Sequence, residues 1–344
     1  MMNFPPFVVS RREALRISAV AGASLVLGGA TLSALIRAGR MHRVQATDNR
    51  MGTLVSMTVV HPEAAAAREM VSSAFAEMDR LEDILSRYRH STPLARLNQL
   101  GSIQNAPREL MDVVTAALWY SSRTEGAFDP TVAPLLKLLQ TRFGEDGRPP
   151  SDREVEETLR RVDYRAIRIE GSSISLEIPG MALTLDGIAK GYIVDRTLSL
   201  LVSSGAERVM VNGGGDIASS RRTASGEPWQ VGIQHPEEAG RTLGHVRLRG
   251  ESVATSGDYM QSYTTDRQHH HILDPRTGRS PGHTSSVTVI TAAAMEADAL
   301  STAALVLGPE HGLALLEELP DVEGLMMTKE GDRRVTSGFE RYAG

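Results

Sequence analysis

Met181-Ala-Leu-Thr-Leu-Asp-Gly-Ile-Ala-Lys-Gly191, continuing through Tyr192 to Val202 and returning in Arg208-Val-Met-Val-Asn-Gly-Gly-Gly-Asp216, is the stretch on which the fold turns. The alternation from Met181 to Asp186 reads as a strand, Gly187 to Gly191 as a turn, Tyr192 to Val202 as a helix, and Arg208 to Val211 as a returning strand. Both loops place glycine at a strand end, so backbone N–H groups can approach an anion with no Cβ in the way, and a following helix start adds favourable partial charge. Neither loop is a P-loop or the spaced glycine pattern of a dinucleotide-binding turn. Taken alone, each also reads as a plain tight turn.

Upstream, Met51 to Val60 is a β-branched strand ending at His61-Pro62. Ala64 to Leu85 follows as a helix, with Met70, Ala74, Met78, Leu81 and Leu85 at the three-and-four spacing of one buried face. Residues 85 to 98 read as a polar and aromatic connection centred on Tyr88, and the flanking Arg87 and Arg89 make an aromatic surface suited to a flat, anionic ligand. A second amphipathic helix spans 107 to 124, Gly126 to Val132 breaks the chain, and 138 to 151 reads as a surface loop. A helix near 154 to 162 precedes two short strands, 166 to 169 and 174 to 178, that turn at Gly171.

Downstream, Pro228 to Ile233 is a strand, and His269-His-His271 opens a segment ending in Thr277-Gly278. On a strand only the outer two histidines share a face, which argues against a zinc tract and for one histidine acting as a base that titrates near neutrality. Ser286 to Thr291 is a strand. Met295 to Leu307 is a helix stopped by Gly308-Pro309, followed by a second helix around 311 to 319 and a short strand pair. On that first helix Asp298 and Thr302 are four apart and share a face. A carboxylate and a hydroxyl so placed suit Mg²⁺, which takes few protein oxygens and fills its octahedron with water and phosphate. The same pair occurs on helices that bind nothing, so it needs other residues to give it meaning.

A chain of 344 residues with 41% hydrophobic and 23% charged residues has the composition of a folded enzyme, and α/β and α+β enzymes of this length fold as one unit. It has no cysteine, which excludes disulfides, thiolate metal sites, a cysteine nucleophile and a lipoprotein anchor through an N-terminal cysteine. Residues 1 to 40 hold five arginines against one glutamate, a net of +4, so the rest carries −9 of the overall −5. A body of that charge is a poor nucleic-acid binder. Ser10-Arg-Arg-Glu-Ala-Leu15 precedes Ile17 to Ile36, a run without a charge that is diluted by Gly, Ser, Thr and Ala. It reads as a twin-arginine export signal over residues 1–45, ahead of a single domain over 46–344, and predicts a periplasmic or outer-face location. An uncleaved anchor is the alternative.

Eight motifs, in order, resemble the FAD:protein FMN transferase family, also called ApbE: Met51-Gly-Thr53; Leu85-Ser-x-Tyr-Arg89 with Arg96-Leu-Asn98; Phe128-Asp-Pro-Thr-Val132; Asp186-Gly-Ile-Ala-Lys-Gly191; Asn212-Gly-Gly-Gly-Asp216; Ser256-Gly-Asp258; His271-Ile-Leu-Asp-Pro-x-Thr-Gly278; Ala297-Asp-Ala-Leu-x-Thr302. Together they cover about residues 51 to 308. The resemblance implies an α+β catalytic domain with mixed sheets and flanking helices, which splits FAD at its pyrophosphate and moves FMN to a Ser or Thr hydroxyl of an exported or membrane redox protein, releasing AMP. It further implies Mg²⁺ on the Gly187 carbonyl and the Asp298 and Thr302 side chains, Tyr88 against the isoalloxazine, and His271 near the phosphates as candidate base. His271 and Asp298 are thus the expected catalytic residues. Met51, Tyr88, Asp129, Lys190, Asn212, Gly214, Asp216, Ser256, Gly257, Asp258 and His271 are the expected FAD contacts.

Asp186 departs from the family pattern, which often has glycine or alanine near this position, and adds a carboxylate beside the expected metal. Two other functions share much of this pattern: an FAD pyrophosphatase that releases FMN and AMP, and a non-catalytic flavin-binding protein.

Overall fold

The computed structural model describes residues 41–221 and 227–344, so residues 1–40, most of the segment expected to be an export signal, lie outside the described residues. β1 (His42–Arg50) and β2 (Thr53–His61) pair antiparallel around a tight turn in which Met51 itself adopts a positive φ of 53°. β1 begins upstream of residue 46, where the sequence places the domain boundary. α1 (Ala64–Leu85) lies on this hairpin and buries Ala67, Val71, Ala74, Met78, Leu81 and Leu85; of the stripe expected from spacing only Met70 is half-buried, its place on the core face taken by Ala67 and Val71.

The connection after α1 is shorter than expected. α2 (Pro93–Leu100) starts where the Thr92 side chain accepts the Ala95 N–H at 3.0 Å and ends at Gly101 in the left-handed region. β3 (Ser102–Ile103) and α3 (Arg108–Arg123) follow. α4 (Ala133–Glu145) occupies much of the stretch expected to be a loop, because Leu135, Leu136 and Leu139 are buried on one face, and only 146–151 remain as connection. α5 (Asp152–Leu159) opens with a capping box between Ser151 and Glu154. β4 (Ile167–Glu170) and β5 (Ser173–Leu176) then form the expected hairpin, and β3 joins it.

Met181 to Leu185 is not a strand. It runs extended and buried, and its backbone bonds go to a side chain instead of a sheet: Leu183 N–H donates to Asn98 Oδ1 at 2.7 Å, and Asn98 Nδ2 donates back to the Leu183 carbonyl at 2.8 Å. Thr184 N–H donates to the Pro130 carbonyl at 2.7 Å. The alternating sequence therefore reports burial correctly and sheet membership wrongly, since one amide side chain supplies the partner a neighbouring strand would. α6 (Ala189–Ser203) follows, then β6 (Arg208–Gly213) and β7 (Asp216–Ser219), which pair with each other across the glycine turn.

β8 (Trp229–Gln234) and β9 (Thr242–Leu248) form a separate hairpin; β10 (Ser252–Gly257) and β11 (Thr284–Thr291) return to the main sheet. α7 (Ala294–Glu317) combines the two expected helices across a kink, with Gly308 at φ 80° followed by Pro309. β12 (Glu323–Thr328) and β13 (Arg333–Val335) are the expected short pair. The main sheet has the order β1-β2-β6-β7-β10-β11-β12-β13. Among the described residues every paired ladder is antiparallel, so the fold is α+β as expected, with antiparallel sheets in place of mixed ones.

Helices α1, α6 and α7 cover one face of this sheet, burying Val55, Met57, Val59, Val211, Ala254, Val287 and Val289 against them. On the other face Trp229, Val231, Val246 and Leu248 of the β8–β9 hairpin pack on Met210, Ile217, Val253, Ile290 and Leu325. A strand with both faces covered reads as a continuous apolar run, which is why β11 is buried at every position. α7 is long and apolar enough to cross a membrane, yet it lies on the sheet with most of its first three turns buried, as a core helix does. Antiparallel pairing brings the β1–β2 turn, the β6–β7 turn and the end of β10 to one end of the sheet, where the first turns of α6 and α7 also meet.

Candidate active site

The crossing of α6 and α7 sets the geometry at that end. A Cβ on Gly191 would lie 2.3 Å from the Ala294 carbonyl oxygen, so the two helices touch backbone to backbone. One turn along α6, the half-buried Asp195 carboxylate accepts the Ala294 N–H at 2.8 Å and the Met295 N–H at 2.9 Å, satisfying free donors at the start of α7. Burial pushes the Asp195 carboxyl up to about 6, although these two N–H groups pull it down. The sequence reading missed Asp195; its signal is the i, i+4 spacing from Gly191, which puts an acid on the face that a small residue opens to a neighbour.

This contact delivers Asp298 to the start of α6. Its Oδ2 accepts the Gly191 N–H at 3.2 Å, and the side chain is buried. Burial raises the Asp298 carboxyl, Asp216 raises it further, and Lys190 opposes both. Thr302, one turn on, has its hydroxyl 3.1 Å from Ser256 Oγ, and Ser256 Oγ is also 2.8 Å from Ser301 Oγ. A Cβ on Gly187 would be 3.1 Å from Thr302 Oγ1 and 3.4 Å from the Phe128 ring, so the Gly187 backbone faces the hydroxyl directly. Gly187, Asp298 and Thr302 are thus together, and they offer hard oxygen donors only.

Lys190 Nζ reaches Asp216 Oδ2 at 2.5 Å. Burial opposes the charge on Lys190, but Asp216 and Asp298 outweigh it and the ammonium is held well above its ordinary value. Asp216 begins β7 directly after the Gly213–Gly215 turn. Asn212 fixes that turn by accepting the Gly215 N–H at 2.9 Å, and Gly214, at φ 73°, leaves a Cβ position only 2.3 Å from Thr53 Oγ1. The Met51 side chain and Thr53 of the β1–β2 turn therefore abut the glycine turn, and Met51, Asn212, Gly214 and Asp216 form one wall.

The three histidines diverge. His270 is buried and its Nε2–H donates to the Pro281 carbonyl at 3.1 Å, while His269 packs 5.3 Å from the Phe143 ring. His271 alone faces the site, within electrostatic reach of Asp186 and Lys190. Its Nδ1 lies 3.1 Å from the Gln261 carbonyl, which can only accept; Nδ1 therefore carries the proton and Nε2 keeps its lone pair. Burial pulls this imidazole down to about 4, the carbonyl offsetting part of the effect, so it is neutral well below the range expected from sequence. Among the described residues no cluster of three His, Asp or Glu side chains could hold a metal.

Four expected contacts are occupied otherwise. Asp129 is buried, accepting Thr131 N–H at 2.7 Å, Thr131 Oγ1–H at 2.6 Å and Tyr164 N–H at 3.1 Å; it shapes the turn that sets Phe128 beside Gly187. Asp258 is fully buried in ion pairs with Lys329 and, at 3.5 Å, Arg267. Gly257 is covered by the Tyr259 ring, 2.3 Å from its Cβ position. The Ser256 hydroxyl is committed to α7. Tyr88 is 60% exposed, with Arg87 stacked on one face; Arg89 turns away to Glu82 and Asp83. Near Arg87 stands Tyr263, its ring stacked on Phe143 at 5.1 Å, an aromatic pair the sequence reading did not single out.

The sequence matches the ApbE family over residues 51–326. It is 33% identical over 302 residues to the FAD:protein FMN transferase of Vibrio cholerae, covering 85% of this chain and 88% of that protein. A FAD:protein FMN transferase of Treponema pallidum is also 33% identical, over 314 residues, 84% of this chain and 85% of that one. The fold is similar to the ApbE protein of Thermotoga maritima, with a TM-score of 0.81 at 27% identity over 88% of this chain and all of the other. The flavin transferase ApbE of Vibrio cholerae gives a TM-score of 0.77 at 31% identity, over 88% and 99% of the two chains.

Proposed function

This chain belongs to the ApbE family, and from that premise we propose that it is a Mg²⁺-dependent FAD:protein FMN transferase. It takes FMN from FAD to a Ser or Thr hydroxyl of an exported or membrane redox protein and releases AMP. The observation that carries this reading is the meeting of Gly187, Asp298 and Thr302 beside the Lys190–Asp216 pair, with His271 within electrostatic reach of Lys190.

Asp298, Thr302 and the Gly187 carbonyl would hold the metal, which supplies charge neutralisation on the pyrophosphate when bound. Asp298 is packed near Asp216, so a cation there relieves repulsion the metal-free site carries. Lys190 and the glycine turn face the phosphates, with the Gly215 N–H kept by Asn212. The acceptor hydroxyl attacks the FMN phosphorus, His271 Nε2 takes its proton, and the bond to the AMP oxygen breaks. Water in place of the hydroxyl makes the same site a pyrophosphatase. Incubation with FAD and Mg²⁺, with and without an exported flavoprotein acceptor, separates the two. AMP release that requires the acceptor and matches its flavin content supports transfer; equal release without acceptor makes it a hydrolase, and no release makes it a binder.

Tyr88 is the isoalloxazine platform in this reading. Stacking serves ground and transition state alike, so Tyr88→Ala should raise the FAD KM several-fold and leave kcat nearly unchanged. An aromatic pair is worth about 0.5–1.5 kcal/mol beyond area burial, which sets that scale. An unaltered KM in steady-state assays would remove Tyr88 from the flavin site.

The location is proposed from sequence alone. Arg11 and Arg12 precede the catalytic domain, so replacing both by lysine should leave a fully active enzyme in the cytoplasm. Periplasmic or outer-face activity surviving that change, measured by cell fractionation, would mean that residues 17–36 work as an ordinary signal or anchor.

A further inference from the structure

Asp186 stands one residue before the Gly187 carbonyl, and on sequence it looks like an extra metal ligand. Its contacts run the other way. Oδ2 accepts Tyr88 O–H at 2.8 Å and Arg87 Nε–H at 2.9 Å, and Arg87 NH2 donates to the Tyr88 oxygen at 2.7 Å. The Arg87 guanidinium carbon lies 4.3 Å from the Tyr88 ring centroid. Three hydrogen bonds, two of them to one carboxylate oxygen, therefore close a triangle between the α1–α2 connection and the approach to α6, residues 98 apart in sequence.

A tyrosine as exposed as Tyr88 on a connection would ordinarily sample several rotamers. Here the hydroxyl is pinned, one ring face is covered by Arg87, and the 60% exposure leaves the opposite face open. Although the ring is exposed, desolvation at its enclosed hydroxyl end and the Asp186 charge both raise the phenol above its ordinary value, so the hydroxyl stays a donor. We propose that Asp186 is a positioning residue for the flavin: through Arg87 and Tyr88 it fixes a pre-formed aromatic platform for the isoalloxazine, and it is not a metal ligand. This rests on the reading of Tyr88 as that platform. Ordering a side chain before the ligand arrives removes an ordering cost from binding, so loss of Asp186 weakens flavin affinity by roughly 3–10-fold.

The test uses riboflavin, which lacks phosphates and so reports on the ring site without metal, bound to the purified protein in EDTA and followed by flavin fluorescence. Asp186→Asn keeps the shape and removes the charge. It should weaken riboflavin and FAD by 3–10-fold, leave AMP affinity, kcat at saturating FAD and the Mg²⁺ half-saturation unchanged, and add nothing in a Tyr88→Ala background. Flavin affinity unchanged in Asp186→Asn but reduced in Tyr88→Ala overturns the inference alone. Affinity unchanged in Tyr88→Ala overturns the platform reading beneath it. A raised Mg²⁺ half-saturation in Asp186→Asn, with riboflavin binding intact, makes Asp186 a metal ligand instead.

Discussion

Asp298→Asn is expected to lower FMN transfer by at least about 10²-fold, the scale on which removal of one preorganised electrostatic contact acts, while the fold survives. The amide is nearly isosteric, and its oxygen still accepts the Gly191 N–H now made at 3.2 Å. What disappears is an acid whose charged form burial and Asp216 both disfavour until a cation is bound. In metal-free buffer the variant should therefore melt no lower than the unsubstituted protein. With Mg²⁺ at a hundred times its dissociation constant the unsubstituted protein should gain about 2.7 kcal/mol, and the variant little or none. Thr302→Ala should reduce activity less, because water replaces a neutral ligand more readily than an anionic one. Retained turnover together with a retained Mg²⁺-induced thermal shift in Asp298→Asn would move the metal elsewhere.

The residues that were legible in the sequence are those whose chemistry is local. Asp298 and Thr302 share a helix face by spacing alone, and the glycine turn before Asp216 announces itself by composition. The buried stripe of α1 is likewise a matter of period. What escaped depends on partners far along the chain. Met181 to Leu185 has the pattern of a strand, but whether a strand or a side chain accepts its hydrogen bonds is decided by Asn98, 85 residues away. β1 was missed because His42 to Arg50 is an edge strand of mostly polar residues, and such a strand carries little apolar alternation. Asp258 shows the opposite error: a motif residue next to the site, whose carboxylate the fold turns inward to Lys329. His271 was found, but its neutrality follows from burial, and burial of a loop histidine has no signature in spacing.

Gly191→Ala is expected to damage stability and catalysis together, because the new methyl meets atoms that cannot rotate away. Its Cβ would stand 2.3 Å from the Ala294 oxygen, 2.5 Å from the Ala294 carbonyl carbon and 2.6 Å from the Met295 Cα, all backbone of the first turn of α7. That turn is held to α6 by the two Asp195 hydrogen bonds, at 2.8 and 2.9 Å, and by the Gly191–Asp298 bond. Relief requires the helices to part, which strains all three. Overpacking of this kind costs about 1–3 kcal/mol and a lost hydrogen bond to a charged group about 1.5–3, against a gain of at most about 1 from the better helix propensity of alanine. The net loss should be about 2 kcal/mol or more in denaturant melts. A displacement of roughly 1 Å at Asp298 should also lower kcat/KM by about 10²-fold. Gly144→Ala supplies the contrast: in the last turn of α4, with nothing within 4 Å of its Cβ position, it should raise stability by up to about 1 kcal/mol and leave transfer unchanged. The same chemical change then has opposite signs at two glycines, and a Gly191→Ala protein as stable and active as the unsubstituted one would mean that the α6–α7 contact is not what sets Asp298 in place.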